Sequence, residues 1–234
     1  MLENLKKEVY DANIDLVRKG LVIYTWGNVS GIDETRSFVV IKPSGIPYNE
    51  MSAEDMVVVD LVSGKKIEGK WSPSSDTETH LELYRQFSKI GGITHCHSIN
   101  AVAFAQAGKP ICALGTTHAD YFFGDIVCTR ELTKDEIFGN YELNTGKVIS
   151  ETVNKIGADI LNVPAILVKN HGPFSWGKDA KNSVMHAVVL EAVAEMNIKT
   201  LALNSDASMD GNICKKHYER KHGPNAYYGQ KVNE

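Results

Sequence analysis

The sequence predicts one α/β domain with a mixed sheet lying between helices. Three observations lead there. Apolar residues recur at helical spacing in some segments and as short β-branched runs in others. These segments do not alternate strictly as strand, helix, strand, so an all-parallel wound sheet is not expected. The chain has 234 residues, 43% of them hydrophobic and 23% charged, enough for a sizeable core.

Residues 2–19 read as a helix, with Leu5, Val9, Ala12 and Leu16 on one face and Gly20 as its stop. Residues 21–25 read as a short strand. Trp26-Gly27-Asn28-Val29-Ser30 reads as a turn in which Gly27 allows close backbone approach. Residues 38–42 form a second strand, ending in Pro43-Ser44-Gly45. Residues 56–61 and 65–68 flank Ser63-Gly64 as a hairpin, so the sheet is expected to start antiparallel. A helix opens at Pro73 and runs to about Phe87, with Ser75 and Glu78 at capping-box spacing. Residues 90–96 read as a buried strand, and 100–107 as a helix between a Ser98 cap and Gly108. Residues 109–141 read as irregular apart from a Thr133/Glu136 capping box. A helix over 146–156 stops at Gly157. A strand over 165–169 delivers Asn170-His171-Gly172-Pro173. Helices over 179–200 and 211–221 complete the chain.

On a strand, residues two apart share a face. His95 and His97 therefore project together while Cys96 points away. Such a pair either hydrogen-bonds at a strand end or forms half of a metal site. His171, on a turn, could add a third imidazole, and Asp76, at a helix start, a carboxylate. That donor set suits zinc, manganese or iron, and spacing leaves its convergence open. Gly27-Asn28, Ser44-Gly45 and Ser74-Ser75 are singly plain turns or caps, and together the equipment of a phosphate site. Gly146-Lys147 is followed by Val148, so no nucleotide P-loop is expected.

Net charge of −4 leaves no basic field for nucleic acid. No apolar run approaches the ~20 residues of a membrane helix. The amphipathic start lacks the apolar centre of a signal peptide. Cys96, Cys112, Cys128 and Cys214 are scattered, as expected for reduced thiols of a cytoplasmic protein.

Several blocks occur in a fixed order. They are Trp26-Gly27-Asn28-Val29-Ser30, Lys42-Pro43-Ser44-Gly45, Pro73-Ser74-Ser75-Asp76-Thr77 and His95 with His97-Ser98. Then come Gly115-Thr116-Thr117-His118-Ala119-Asp120-Tyr121, Asn170-His171-Gly172-Pro173, Lys216-His217-Tyr218 and Ala226-Tyr227-Tyr228-Gly229-Gln230. Over nearly the whole chain they resemble the class II aldolase/epimerase family, and within it the L-ribulose-5-phosphate 4-epimerases. The block ending at Tyr121 and the Tyr-Tyr-Gly-Gln ending favour the epimerases, as does Asp76 where the aldolases usually carry glutamate.

The resemblance implies a single class II aldolase-like domain over residues 1–234, three-layered α/β/α, with a mixed, largely antiparallel central sheet. It implies one Zn²⁺ per subunit, with Mn²⁺ or another divalent ion as alternatives, held by Asp76, His95, His97 and His171. It implies interconversion of L-ribulose 5-phosphate and D-xylulose 5-phosphate by retro-aldol cleavage and re-addition across C3–C4. Asp120 and Tyr228 are then the catalytic acid/base residues. Gly27, Asn28, Lys42, Ser44, Gly45, Ser74 and Ser75, with His217 and Arg220, contact substrate and phosphate. The implied assembly is a homotetramer with sites between subunits, completed by residues 211–234 of a neighbour. The competing readings are a fuculose- or rhamnulose-1-phosphate type aldolase, a non-catalytic scaffold on the same fold, and a closed structural zinc protein. His80 and His186 are expected to be packed or solvated in helices, and His118 to hold the Asp120 loop.

Overall fold

The computed structural model describes residues 2–157 and 159–228. In chain order the elements are α1 (Glu3–Arg18), β1 (Gly27–Ile32), β2 (Phe38–Ile41), β3 (Val57–Asp60), β4 (Lys66–Glu68), α2 (Thr77–Gln86), β5 (Gly92–Cys96), α3 (Ile99–Ala107), α4 (Thr116–Ala119), α5 (Lys134–Phe138), α6 (Tyr141–Ile156), β6 (Ala165–Val168), β7 (Gly172–Gly177), α7 (Ala180–Leu203) and α8 (Gly211–His222). The seven strands form one sheet in the order β4-β3-β2-β1-β5-β7-β6.

Alternation along the strands assigns the two faces. Val39, Ile41, Val57, Val59 and Ile93 pack with Leu81, Leu83, Val148 and Ile149 of α2 and α6. Val29, Val40 and Val58 pack with Val9, Ala12 and Leu16 of α1 and with Ala180, Val184 and Ala187 of α7. The expected three-layer class II aldolase-like arrangement is therefore present. The expected mixed sheet is, among the described residues, antiparallel in every ladder. The cause is the β6–β7 hairpin, which inserts β7 beside β5 running the other way. The parallel contact is an isolated bridge, Cys128 with Leu167.

Two further expectations are corrected. Residues 21–25 form no strand; the chain turns there, with Trp26 N–H donating to Ile23 O at 3.1 Å. The strand begins instead at Gly27, where a turn was expected. Gly172–Gly177 is a strand that the sequence pattern hides, because its Gly-Pro opening reads as a breaker. Two caps also differ. Asp76, not Ser75, occupies the N-cap of α2. Ser98 is the N-cap residue of α3 as expected, but its side chain makes no cap bond, and Glu191 of α7 accepts instead from Asn100 N at 2.9 Å and Ala101 N at 3.0 Å. The Thr133/Glu136 box forms as expected. No helix among the described residues is long and apolar enough to cross a membrane.

The site is made where β1 and β2 part. β1 pairs with β5 from Gly27 onward, but with β2 only from Ser30 onward. The free backbone edge at Val29 is satisfied by buried Asn13 of α1, which accepts from Val29 N at 3.0 Å and donates to Val29 O at 3.1 Å. Tyr48 donates to Gly27 O at 2.8 Å. Beyond β2, residues 42–44 run beside 72–74: Ser44 N donates to Ser72 O and Ser74 N to Lys42 O, both at 3.0 Å. Two turns distant in sequence thus become neighbours.

The strand that carries His95 is pinned from behind by the start of α7. A Cβ added at Gly92 would lie 2.3 Å from Ala180 N. Gly92→Ala should therefore cost about 3 kcal/mol, at the upper end for overpacking. A lowered urea midpoint at unchanged slope checks this, and a native midpoint contradicts it.

Candidate metal and phosphate site

His95 is the penultimate residue of β5, and His97 is the first residue past it. The strand geometry brings their Nε2 atoms to 3.0 Å. His171 joins them from the turn between β6 and β7. Ligand nitrogens of the three rings lie within 4.8 Å of one another. His95 is 1% exposed and stacks on Phe174, centroids 4.2 Å apart. Its Nδ1–H donates to Pro173 O at 2.9 Å, leaving Nε2 as a lone pair. Tyr141 Oη stands 3.5 Å from His171 Nδ1.

Burial, then the neighbouring His95, holds His97 below the ordinary imidazole range and pushes His171 down to about 3. Both are therefore neutral lone-pair donors at neutral pH. Asp76 lines the same cavity but stands outside the tight imidazole cluster. Its Oδ2 accepts from Asn28 Nδ2 at 2.6 Å. Burial opposes its charge, yet His95, His80 and the Asn28 bond hold the carboxyl below its usual range. Asn28 Oδ1 is buried without a partner. Three converging imidazoles, an adjacent carboxylate and an unpartnered amide oxygen fit a divalent metal.

The cavity, about 380 Å³, is also lined by Gly27, Lys42, Ser44, Gly45, Ser74 and Ser75. Gly27 is required there: at φ 128° a Cβ would meet His95 O at 3.0 Å. Lys42 is 2% exposed. Its Nζ donates to Pro43 O at 3.1 Å and Ile46 O at 3.0 Å, over the Tyr48 ring. It has no carboxylate partner among the described residues, and burial pushes it down to about 8. A larger hollow, about 640 Å³, lies between α1 and the start of α7, without imidazoles.

Asp120, His217, Arg220 and Tyr228 do not line that cavity. They form a second cluster within the chain. Asp120 Oδ1 accepts from His217 at 3.0 Å, and Oδ2 accepts from Arg220 Nη2 at 2.8 Å. Burial opposes the Asp120 charge, but Arg220, His217 and Lys221 keep the carboxyl below its usual range. The Tyr228 ring lies under Arg220 and Lys221. Gly229 and Gln230 lie outside the described residues. His118 donates to Gly124 O at 2.7 Å, tying the loop after Asp120. His80 and His186 are packed. Sequence reading missed Tyr141 and Phe174; recognising β7 would have placed Phe174 opposite His95.

A model of the class II aldolase and adducin N-terminal domain matches residues 7–198. The chain belongs to this family. An L-fuculose 1-phosphate aldolase structure is similar at 25% identity and TM-score 0.75, covering 93% of this chain and 95% of its own. YgbL from Klebsiella pneumoniae, described as a putative aldolase/epimerase/decarboxylase, aligns at 22% identity and TM-score 0.72, over 92% of this chain and 99% of its own. A sugar-phosphate aldolase from Thermotoga maritima aligns at 18% identity and TM-score 0.68, over 89% and 98%. The last two likenesses concern the fold alone.

Two outcomes follow from the geometry. His97→Ala should weaken Zn²⁺ binding by at least ~100-fold, read by chelator competition and metal analysis; native affinity in that variant would exclude His97 as a ligand. His80 is wholly buried, its Nδ1 2.7 Å from Ser30 Oγ, and burial pushes it from 6.5 to about 3. The unfolded chain takes up this proton below about pH 6.5, and the folded chain resists until about pH 3. Stability should fall as pH drops through that window, His80 contributing up to ~1.4 kcal/mol per pH unit. In metal-free protein, His80→Gln should show a shallower loss between pH 7 and 5 by urea denaturation; an unchanged slope contradicts the assignment.

Proposed function

We propose that the protein is a metal-dependent epimerase. It interconverts L-ribulose 5-phosphate and D-xylulose 5-phosphate by cleaving C3–C4 and re-forming the bond on the other face of the aldehyde. The observation that carries this reading is one cavity lined by both the three imidazoles and the Ser44-Gly45, Ser74-Ser75 and Lys42 turns. His95, His97, His171 and Asp76 hold the ion, Zn²⁺ in the first instance, one per subunit. When bound, it supplies Lewis-acid charge neutralisation at the reacting carbons.

The remaining chemistry belongs to the chain. Lys42, short of an anionic partner, binds the phosphate with the serine turns, and Gly27 lets the backbone come close. An anchored phosphate keeps the two-carbon fragment in place between cleavage and re-addition. Inversion leaves the C4 oxygen on opposite sides of the carbon, so a proton is handled on each side. Asp120, kept ionised, accepts on one side, and the Tyr228 hydroxyl serves the other. Neither lines the imidazole cavity of its own chain. This supports a homotetramer in which the histidines of one chain meet the Asp120, His217, Arg220 and Tyr228 cluster of a neighbour across a subunit boundary.

A second reading, a sugar 1-phosphate aldolase, is favoured by the 25% identity to L-fuculose 1-phosphate aldolase. Asp76 and the Gly115-Thr116-Thr117-His118-Ala119-Asp120-Tyr121 block favour the epimerase.

Metal-replete protein given L-ribulose 5-phosphate and followed by NMR should yield D-xylulose 5-phosphate without free fragments. Tyr228→Phe should slow this at least ~100-fold while leaving slow condensation of dihydroxyacetone with glycolaldehyde phosphate. Cleavage of a ketose 1-phosphate to dihydroxyacetone phosphate, with the pentulose untouched, would assign the aldolase instead.

A further inference from the structure

His171 reaches the imidazole cluster from a turn that most residues cannot make. β6 and β7 pair as far as Val168 with Gly172, so residues 169–171 close the hairpin. His171 N–H donates to Val168 O at 3.0 Å across it. The third residue of this turn, Asn170, has φ +62°. A positive φ at that position is the mark of a turn that selects glycine or asparagine. Among non-glycine residues, the short amide tolerates left-handed backbone best, whereas a Cβ without a local polar compensation is strained there.

Asn170 is also tied on two sides. Its N–H donates to Ala105 O at 3.1 Å, and its Nδ2 donates to Glu131 Oε1 at 3.0 Å. The first tie matters for the site as a whole. Helix α3 starts two residues after His97 and carries Ala105 near its other end. One rigid helix therefore connects the chain just past His97 to the residue just before His171.

We infer that Asn170 is a positioning residue, whose left-handed backbone aims His171 at the point where the other two imidazoles converge. This rests on the metal reading given above. Asn170 itself touches neither ion nor substrate. If its backbone conformation is what matters, glycine replaces it and alanine does not. The amide tie to Glu131 then only selects asparagine over other residues at an exposed position.

The test uses the full chain stripped of metal by chelation, unsubstituted and as Asn170→Gly and Asn170→Ala. Zn²⁺ affinity is read by competition with a chromophoric chelator, and ligand geometry by the visible absorption of the Co²⁺ form. Alanine should weaken Zn²⁺ by about 10- to 100-fold and alter the Co²⁺ spectrum; glycine should restore both. An alanine variant that fails to fold, beside a glycine variant that folds and binds, supports the same assignment. Native affinity and a native Co²⁺ spectrum in the alanine variant overturn it, as does a glycine variant as weak as alanine. If the unsubstituted protein takes up no Zn²⁺, the metal reading itself falls.

Discussion

The site depends on a gap in a sheet. Strands normally satisfy their backbone on both edges, and an unmet buried N–H or C=O costs about 1–3 kcal/mol. β1 nevertheless leaves β2 before Ser30, while Val29 is fully buried. Asn13 makes this tolerable by presenting one donor and one acceptor to the backbone of Val29, as a neighbouring strand would. With that edge closed from α1, the chain after β2 is free to swing aside. Its Lys42-to-Gly45 turn then lies against residues 72–74 and forms one wall of the cavity. Removing the Asn13 amide would take away the partner of a strand edge before it touched any functional residue.

What the sequence displayed were periodicities and short local patterns. His95 and His97 are two apart on a β-branched run, and their convergence follows from strand geometry alone. Helix α1 shows its apolar spacing plainly. Non-local satisfaction was hidden. The polar stretch Gly-Asn-Val-Ser-Gly becomes a strand because β5 and Asn13 pair with it. Gly-Pro-Phe-Ser-Trp-Gly becomes β7 because β5 and β6 flank it. The α3 cap comes from Glu191, more than ninety residues after Ser98. Capping boxes read from spacing succeed where the helix end is exposed, as at Thr133. They fail at Ser75, where the helix start faces the cavity and the Asp76 side chain is turned to Asn28 instead.

The two clusters of polar residues differ in electrostatic character. Around Asp120, four basic or imidazole side chains, those of His217, Arg220, Lys221 and His222, surround one acidic residue. That group is neutralised and fixed within its own chain, docking α8 against the end of α4. The imidazole cavity is the reverse, because burial there disfavours positive charge on His97, His171 and Lys42.

That reversal gives the cavity its selectivity. His97, His171 and Lys42 are all shifted toward neutrality, chiefly by desolvation. For Asp76 burial opposes the charge, while His95, His80 and the Asn28 amide hold the carboxyl below its usual range. Protons are thus poor occupants of the nitrogens, whereas a divalent ion meets ready lone pairs. An anion arriving beside Lys42 would offset the penalty that burial places on its charge, since an opposite charge within a few ångströms favours the protonated amine. On the proposed reading, a cation among the imidazoles and an anion beside Lys42 would each lower the cost of the other's charge. Under that proposal, a substrate with oxygens at one end and a phosphate at the other would be held better than either fragment alone.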